Sequence, residues 1–509
     1  MELTTKRPVQ LVVVGASGDL TQRKLIPALA AIAAKHPDLP FEVVGVARRP
    51  KTDDGFRAEL REALPEAERP AFDALAPRLR YFAGDVADDA SMAALGRALD
   101  GLPGGAEAGR LFYFSLKPEL FAPAARTLAR VGLLGAREGA KTAWRRVVIE
   151  KPFGHDLASA RTLNHDLHEL LYEEQIFRID HYLGKETVQN IIGLRFHNAI
   201  FEPVWNRTHV ELIQITVAED LGMESGRAGY YDGTGALRDM MQNHMLQILA
   251  LVTMEPPAAL APEAVRGQKV GVLRALRAPE PRDFATHVVR ARYGAGEVGG
   301  RPVPGYLSEP GVAPDSDTET YVAVRAEIDN WRWAGVPILL RHGKRLPKKF
   351  TEVQVQFKTP ALQLFNKPDG MDDAEFRRAL REGLLCQIRP NVLTLSIQPR
   401  EAISLSFGVK TPGAAMVMSP AKLSFDYQEH FGNGGASAYE RLLLDAILGD
   451  ATLFLRADEI EASWSFADAL TAGWRSGEAP PIETYAAGTW GPASAQTLFH
   501  GCEGTWSRG

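Results

Sequence analysis

A doubly wound α/β parallel sheet, followed by a larger α+β domain with a mostly antiparallel sheet, is the fold class this 509-residue sequence predicts. Three observations carry the expectation. Up to about residue 180, apolar β-branched runs alternate with Ala/Leu-rich helical stretches, the rhythm of a parallel sheet with helices on both faces. A glycine-bearing turn joins the first such run to the first helix. Beyond residue 180 the apolar runs give way to strict apolar/polar alternation, the pattern of a sheet with one covered face.

Element by element, Val9–Val14 is a continuous β-branched run and reads as a strand buried on both faces. Gln22–Lys35 has helical periodicity, and Phe41–Ala47 reads as the second strand. Arg110–Leu116 and Arg146–Ile149 are further strands, with a helix near Phe121–Val131. In the second part, His209–Ala218, Tyr321–Ile328, Thr351–Phe357 and Val392–Gln398 alternate. Gly/Pro-rich stretches at Gly101–Gly109 and Gly294–Pro314 read as loops, the second long enough for a substrate-side lid.

Composition narrows the class of partner. With 58 Lys+Arg against 63 Asp+Glu, the net charge is −5, which argues against a nucleic-acid or anionic-membrane surface. No apolar run reaches the roughly 18–20 residues that span a bilayer. The N-terminus lacks a secretory h-region, since Val9–Val14 is too short and ends in glycine. Two cysteines, Cys386 and Cys502, make neither a disulfide framework nor a four-thiolate zinc site. The expectation is a cytoplasmic chain without a metal.

The turn after the first strand is Gly15-Ala16-Ser17-Gly18-Asp19-Leu20. Its glycines permit a tight turn and close approach of a diphosphate to free N–H groups at a helix start. The spacing departs from G-x-G-x-x-G. After the second strand, where an NAD site places an acidic residue for the ribose 2′-hydroxyl, stands Arg48-Arg49. A guanidinium binds a 2′-phosphate bidentately, so the turn and Arg48 together predict NADP. Residues 1–180 are therefore read as a Rossmann-like NADP-binding domain, and 181–509 as an α+β substrate-binding and dimerisation domain.

Three further segments concentrate polar chemistry. Glu150-Lys151-Pro152-Phe153-Gly154 closes the last strand of the first domain, where doubly wound sheets hold their ligands. In Arg178-Ile179-Asp180-His181-Tyr182-Leu183-Gly184-Lys185-Glu186, His181 and Lys185 are four apart. On a helix start they share a face and grip a phosphate, with Gly184 leaving the backbone open to it. Gly235–Val252 is apolar all round, hence a buried helix, yet carries Arg238, Asp239, Gln242, Asn243, His244 and Gln247. So many buried polar groups need partners or a ligand-lined crevice.

Gly15–Leu25 (GASGDLxxRKL), Glu150–Gly154 (EKPFG), Arg178–Glu186 (RIDHYLGKE) and Arg238–Gln247 (RDMMQNHMLQ) together resemble glucose-6-phosphate dehydrogenases. Tyr439–Phe454, Asp458–Trp464 and Gly488–Pro492 are similar too, so the resemblance spans nearly the whole chain. It implies oxidation of β-D-glucose 6-phosphate at C1 to 6-phospho-D-glucono-1,5-lactone with hydride transfer to NADP+, the first oxidative step of the pentose phosphate pathway. By motif, His244 is the general base and Asp180 orients it and stabilises the imidazolium. His181, Tyr182 and Lys185 hold the substrate phosphate. Lys151 lies between sugar and nicotinamide, with Lys24 nearby. Glu219, Asp239, Lys344 and Gln398 match positions that contact sugar hydroxyls or the phosphate end, and Lys349 a basic residue for the phosphate. Bacterial members use NADP, NAD or both; Arg48 favours NADP. Homodimers and homotetramers occur in the family, and the large one-faced sheet suits such an interface.

The competing enzyme reading is an NADP-dependent sugar oxidoreductase of the glucose–fructose or inositol dehydrogenase type. That reading expects unphosphorylated substrates and gives no role to His181 and Lys185 together. A non-catalytic sugar-phosphate or NADP sensor would not need Asp180 and His244.

Overall fold

The computed structural model describes residues 7–135, 143–360, 371–381, 390–413, 418–432, 435–477, 479–500 and 504–509; Cys386 and Cys502 lie outside the described residues. Two compact units form. One comprises Met1–Lys185 with Pro257–Gly267 and Ala436–Glu461; the other comprises Glu186–Pro256, Gln268–Gly435 and Ala462–Gly509. Among the described residues, no helix is long and apolar enough to cross a membrane.

The first unit is built on strands β1 (Val9–Val14), β2 (Phe41–Ala47), β3 (Leu79–Ala83), β4 (Gly109–Phe114), β5 (Arg145–Ile149) and β6 (Ile176–Ile179). They run parallel in the order 3-2-1-4-5-6, the order of doubly wound dinucleotide-binding sheets. Strand Phe454–Leu455 adds antiparallel to the outer edge of β6. Every residue of β1, β4 and β5 is buried, which is why the sequence there is apolar without alternation. The order reverses between β1 and β4, so their carboxyl ends open a crevice. Helix starts follow capping chemistry: Thr52 accepts from Gly55 N, and Asp156 and Ser159 cap each other's backbone reciprocally.

β3 and β6 escape the sequence reading for physical reasons. β3 is an edge strand with only Leu79 fully buried. β6 carries Arg178, whose buried guanidinium is satisfied by Glu173 (2.6 Å) and Asn164 (3.1 Å), so its polarity hides a core strand.

In the second unit, neighbouring strands run Met418–Asp426, Ala402–Lys410, Val392–Gln398, Phe350–Phe357, Val210–Ala218, Ile338–Gly343, Tyr321–Ile328, Val288–Gly294 and Glu483–Ala486. Two of these pairings are parallel, Val210–Ala218 with Ile338–Gly343 and Val288–Gly294 with Glu483–Ala486; the others are antiparallel. Alternation survives at Val392–Gln398, where inward residues are buried and outward ones partly exposed. The central strand Val210–Ala218 is instead buried along almost its whole length. Its polar residues are absorbed internally; Gln214, for example, donates to Gln354 Oε1 at 2.9 Å. The Gly294–Pro314 stretch is not a free lid. It holds a short hairpin, Gly296–Val298 with Arg301–Val303, and then buries Tyr306, whose hydroxyl donates to Asp232 at 2.8 Å. Glu309 anchors it further by accepting from Tyr293 (3.0 Å) and Arg345 (3.3 Å).

Candidate active site

At the crevice of the first unit, Gly15 has φ +93°, and a Cβ there would lie 2.1 Å from the Ser115 carbonyl oxygen, so only glycine fits. The Gly18 N–H donates to Gly15 O at 3.0 Å, closing the turn before the helix. That helix opens with a π-turn over Thr21–Leu25, which carries the exposed Lys24, and continues as α-helix over Ile26–Lys35. Gly15, Ser17, Arg48 and Arg49 line one cavity of about 460 Å³ together with residues from the carboxyl end of β3. Both arginines are exposed and line the same cavity as Gly15 and Ser17. Asp19 lies at the helix start, paired with Arg23 at 2.7 Å, and Leu20 is half-buried. A diphosphate at the N–H groups and a 2′-phosphate at the arginines fit this donor set.

The end of β5 leads into a cis peptide at Lys151–Pro152. Beside Lys151, Glu150 Oε1 accepts from the hydroxyls of Tyr113 and Tyr439 (3.1 Å for Tyr439). Burial pushes the Glu150 carboxyl above its usual range, against the pull of these bonds.

Asp180 to Lys185 form a tight turn, and the helix begins only at Glu186, so His181 and Lys185 do not share a helical face. Their convergence has another origin. Asp180 is buried, and its Oδ1 accepts from Tyr182 N at 2.9 Å, folding the turn back on itself. The Lys185 ammonium lies 5.0 Å from the Tyr182 ring centroid, and the His181 ring stacks on Tyr439 with centroids 6.3 Å apart and planes at 12°. Gly184 does not open the backbone to an anion: a Cβ there would lie 2.6 Å from Ala438 O, so the glycine serves close packing against the helix Ala438–Leu448. Sequence reasoning quoted Tyr439 within a motif but gave it no role. Its signal was only its place two residues after the capping Ser437.

In the second unit, residues Leu237–Met245 are π-helical and pass into α-helix over Leu246–Thr253. Periodicity of 100° per residue predicts an ordinary α-helix; the i→i+5 geometry instead brings residues five apart, such as Asp239 and His244, toward one face. His244 is buried, with its backbone N–H donating to Asn243 Oδ1. Lys344, 3% exposed, places Nζ 2.6 Å from Glu219 Oε2 and 3.6 Å from Asp239 Oδ2, and 4.7 Å from the Tyr231 ring centroid. Burial pushes the Glu219 carboxyl up, but the Lys344 ammonium brings it below its ordinary range. His342 donates from Nδ1 to Val217 O at 2.9 Å, and burial pushes its pKa down to about 4, which keeps the ring neutral. Three of the expected sugar contacts, Glu219, Asp239 and Lys344, thus form one cluster. Lys349 and Gln398 line a different cavity of about 550 Å³, where Gln398 Nε2 donates to Thr351 at 2.8 Å.

A doubly wound sheet with a glycine turn and two arginines lining one cavity, in a chain whose second unit carries a buried Lys–carboxylate cluster, defines a dinucleotide-dependent oxidoreductase of polar substrates. The family model for the NAD-binding domain of glucose-6-phosphate dehydrogenase matches residues 12–190, and that for its C-terminal domain residues 192–507. The glucose-6-phosphate 1-dehydrogenase of Aggregatibacter actinomycetemcomitans is 43% identical, covering 98% of this chain and 97% of the relative; that of Bacillus subtilis is 40% identical over 97% and 98%. A solved glucose-6-phosphate dehydrogenase in complex with its substrate glucose-6-phosphate superposes with a TM-score of 0.84 at 32% identity, covering 99% of this chain and 100% of that one. The chain belongs to the glucose-6-phosphate dehydrogenase family.

Proposed function

We propose that this chain oxidises β-D-glucose 6-phosphate at C1 to 6-phospho-D-glucono-1,5-lactone, using NADP+. The observation that supports the substrate assignment is the turn at Asp180–Lys185, in which Lys185 lies against the Tyr182 ring and His181 stacks on Tyr439; we read His181, Tyr182 and Lys185 as its phosphate donors. Membership of the glucose-6-phosphate dehydrogenase family does not favour the glucose–fructose type of oxidoreductase.

On this reading, Gly15, Ser17, Gly18, Asp19 and Leu20 hold the cofactor diphosphate at the helix start, and Arg48 reads the 2′-phosphate. Bound NADP+ supplies the hydride acceptor. Lys151 orients sugar and nicotinamide, with Lys24 nearby. Glu219 and Asp239 accept hydrogen bonds from sugar hydroxyls, while Lys344 holds the Glu219 carboxylate ionised and donates. Lys349 and Gln398 contribute at the phosphate end. His244 takes the C1 hydroxyl proton as the hydride leaves C1, and Asp180 orients the ring and stabilises the imidazolium.

On the same reading residues 1–180 bind NADP, and 181–509 bind the sugar phosphate and form a homodimer or homotetramer through the large sheet, although Lys185, Pro257–Gly267 and Ala436–Glu461 pack with the first compact unit. A cytoplasmic location accompanies this chemistry. The test is the absorbance of reduced nicotinamide on mixing protein, glucose 6-phosphate and NADP+, with free glucose and NAD+ in parallel. Reduction that requires the phosphate supports the proposal; reduction with free glucose alone overturns it.

A further inference from the structure

The second unit contains a cavity of about 420 Å³ lined by none of the residues assigned above to cofactor or sugar phosphate. Its charged wall comes from separate elements. Arg238 stands at the start of the π-helix, Arg290 on strand Val288–Gly294, and Arg475 at the end of helix Ala457–Arg475, beside Trp474. Asp317 and the buried Glu319 also line it.

Three guanidiniums against two carboxyls leave the cavity positive, and the excess is larger than formal charge suggests. Glu319 Oε1 is occupied by the Leu237 N–H at 2.9 Å, and burial pushes its carboxyl up to about 7, so near neutrality it is only partly ionised. The polar atoms left over are donors. Arg290 Nε and Trp474 Nε1 are buried and have no hydrogen-bond partner, and the Arg290 guanidinium lies 5.4 Å from the Trp474 ring centroid. Arg238 is held in place by donating from Nη1 to Gly233 O at 2.8 Å. Buried donors without acceptors are unfavourable unless something supplies the acceptors.

We infer that this cavity is a second anion site, distinct from the substrate turn, that binds a phosphate-bearing small molecule through Arg238, Arg290, Arg475 and the Trp474 N–H. Three guanidiniums from three elements match an anion with three terminal oxygens better than a carboxylate with two. The volume leaves room for a small organic group on that phosphate.

Calorimetric titration of the full chain with inorganic phosphate tests the site. With the cofactor crevice saturated by NADP+, wild type should show two classes of site. Arg290→Ala/Arg475→Ala should lose one and keep the other, whereas Lys185→Ala should lose the other and keep this one. Because Arg475 is exposed, Arg475→Ala alone preserves the fold and should weaken this class about tenfold, the worth of one charge-assisted hydrogen bond. A crystal soaked in tungstate should give an anomalous peak among the three arginines. One class of site in wild type, unchanged binding in the arginine variants, or no tungstate peak in this cavity overturns the inference. Failure of Lys185→Ala to lose a class would count against the substrate-phosphate assignment instead.

Discussion

Lys344 Nζ lies 2.6 Å from Glu219 Oε2 and 3.6 Å from Asp239 Oδ2, so one buried ammonium answers two carboxylates from different elements. Removing it leaves two like charges facing each other out of bulk water. Lys344→Met should therefore destabilise the chain by roughly 3 kcal/mol, the cost of breaking a buried pair from one side. The double variant Lys344→Met/Glu219→Gln should recover a large part of that loss. Denaturant melts of the single and double variants measure it; equal stabilities for the two would mean that the cluster is not electrostatically coupled.

The neighbouring His342 should give the chain an acid sensitivity. Burial holds its pKa at about 4, while in the unfolded chain it titrates near 6.5. Between those values the unfolded state binds more protons, so stability falls as pH drops from 6.5 to 4 and is flat outside that window. The window is worth about 3 kcal/mol at 1.36 kcal/mol per pKa unit. Glu319, raised to about 7, has the opposite sign: its contribution is present below the ordinary Glu pKa and fades as pH rises through 7. Subtracting the His342→Asn melting curve from wild type cancels Glu319 and isolates His342. A flat difference across pH 4–6.5 would show that the ring is not held neutral.

His244 and His181 should separate chemistry from binding. His244→Ala should lower kcat by roughly 10²–10⁴, the usual worth of a general base, with little change in KM. His181→Asn should chiefly raise KM for glucose 6-phosphate, because it removes a ground-state phosphate contact. Steady-state kinetics of both variants checks the pair. Near-normal kcat in the first, or unchanged KM in the second, would remove that residue from its role.

Arg48 shares the cofactor crevice with the Gly turn, so Arg48→Ala should raise KM for NADP far more than KM for NAD. Equal effects on both cofactors would mean that Arg48 does not read the 2′-phosphate.

The sequence revealed what depends on local pattern and concealed what depends on distant partners. The continuous apolar run Val9–Val14, the glycine at φ +93° and Arg48 after the second strand were legible because backbone and burial act there over a few residues. Arg178 concealed β6, since a buried charge reads as surface until Glu173 and Asn164 are seen to satisfy it. The π-helix at Leu237–Met245 was hidden by a composition that suits an α-helix equally well. Gly184 suggested an anion site from residue type alone, yet Ala438, more than 250 positions away, is what requires it to be a glycine. Tyr439 was invisible for the same reason: its stacking on His181 joins residues remote in the chain.

The return of Ala436–Glu461 to the first unit bears on how the chain is made. A ribosome releases β1 through β6 long before residue 454, and until then the outer edge of β6 exposes unpaired backbone groups. In that interval Glu150 lacks the Tyr439 hydroxyl, and the Arg146 guanidinium lacks the carbonyls of Ala446 and Ile447 that accept from it at 2.9 and 3.0 Å. The nascent dinucleotide-binding half is thus an incomplete, adhesive sheet that must wait for almost the entire polypeptide to emerge. Premature termination anywhere before this segment leaves an aggregation-prone fragment, not a smaller working domain.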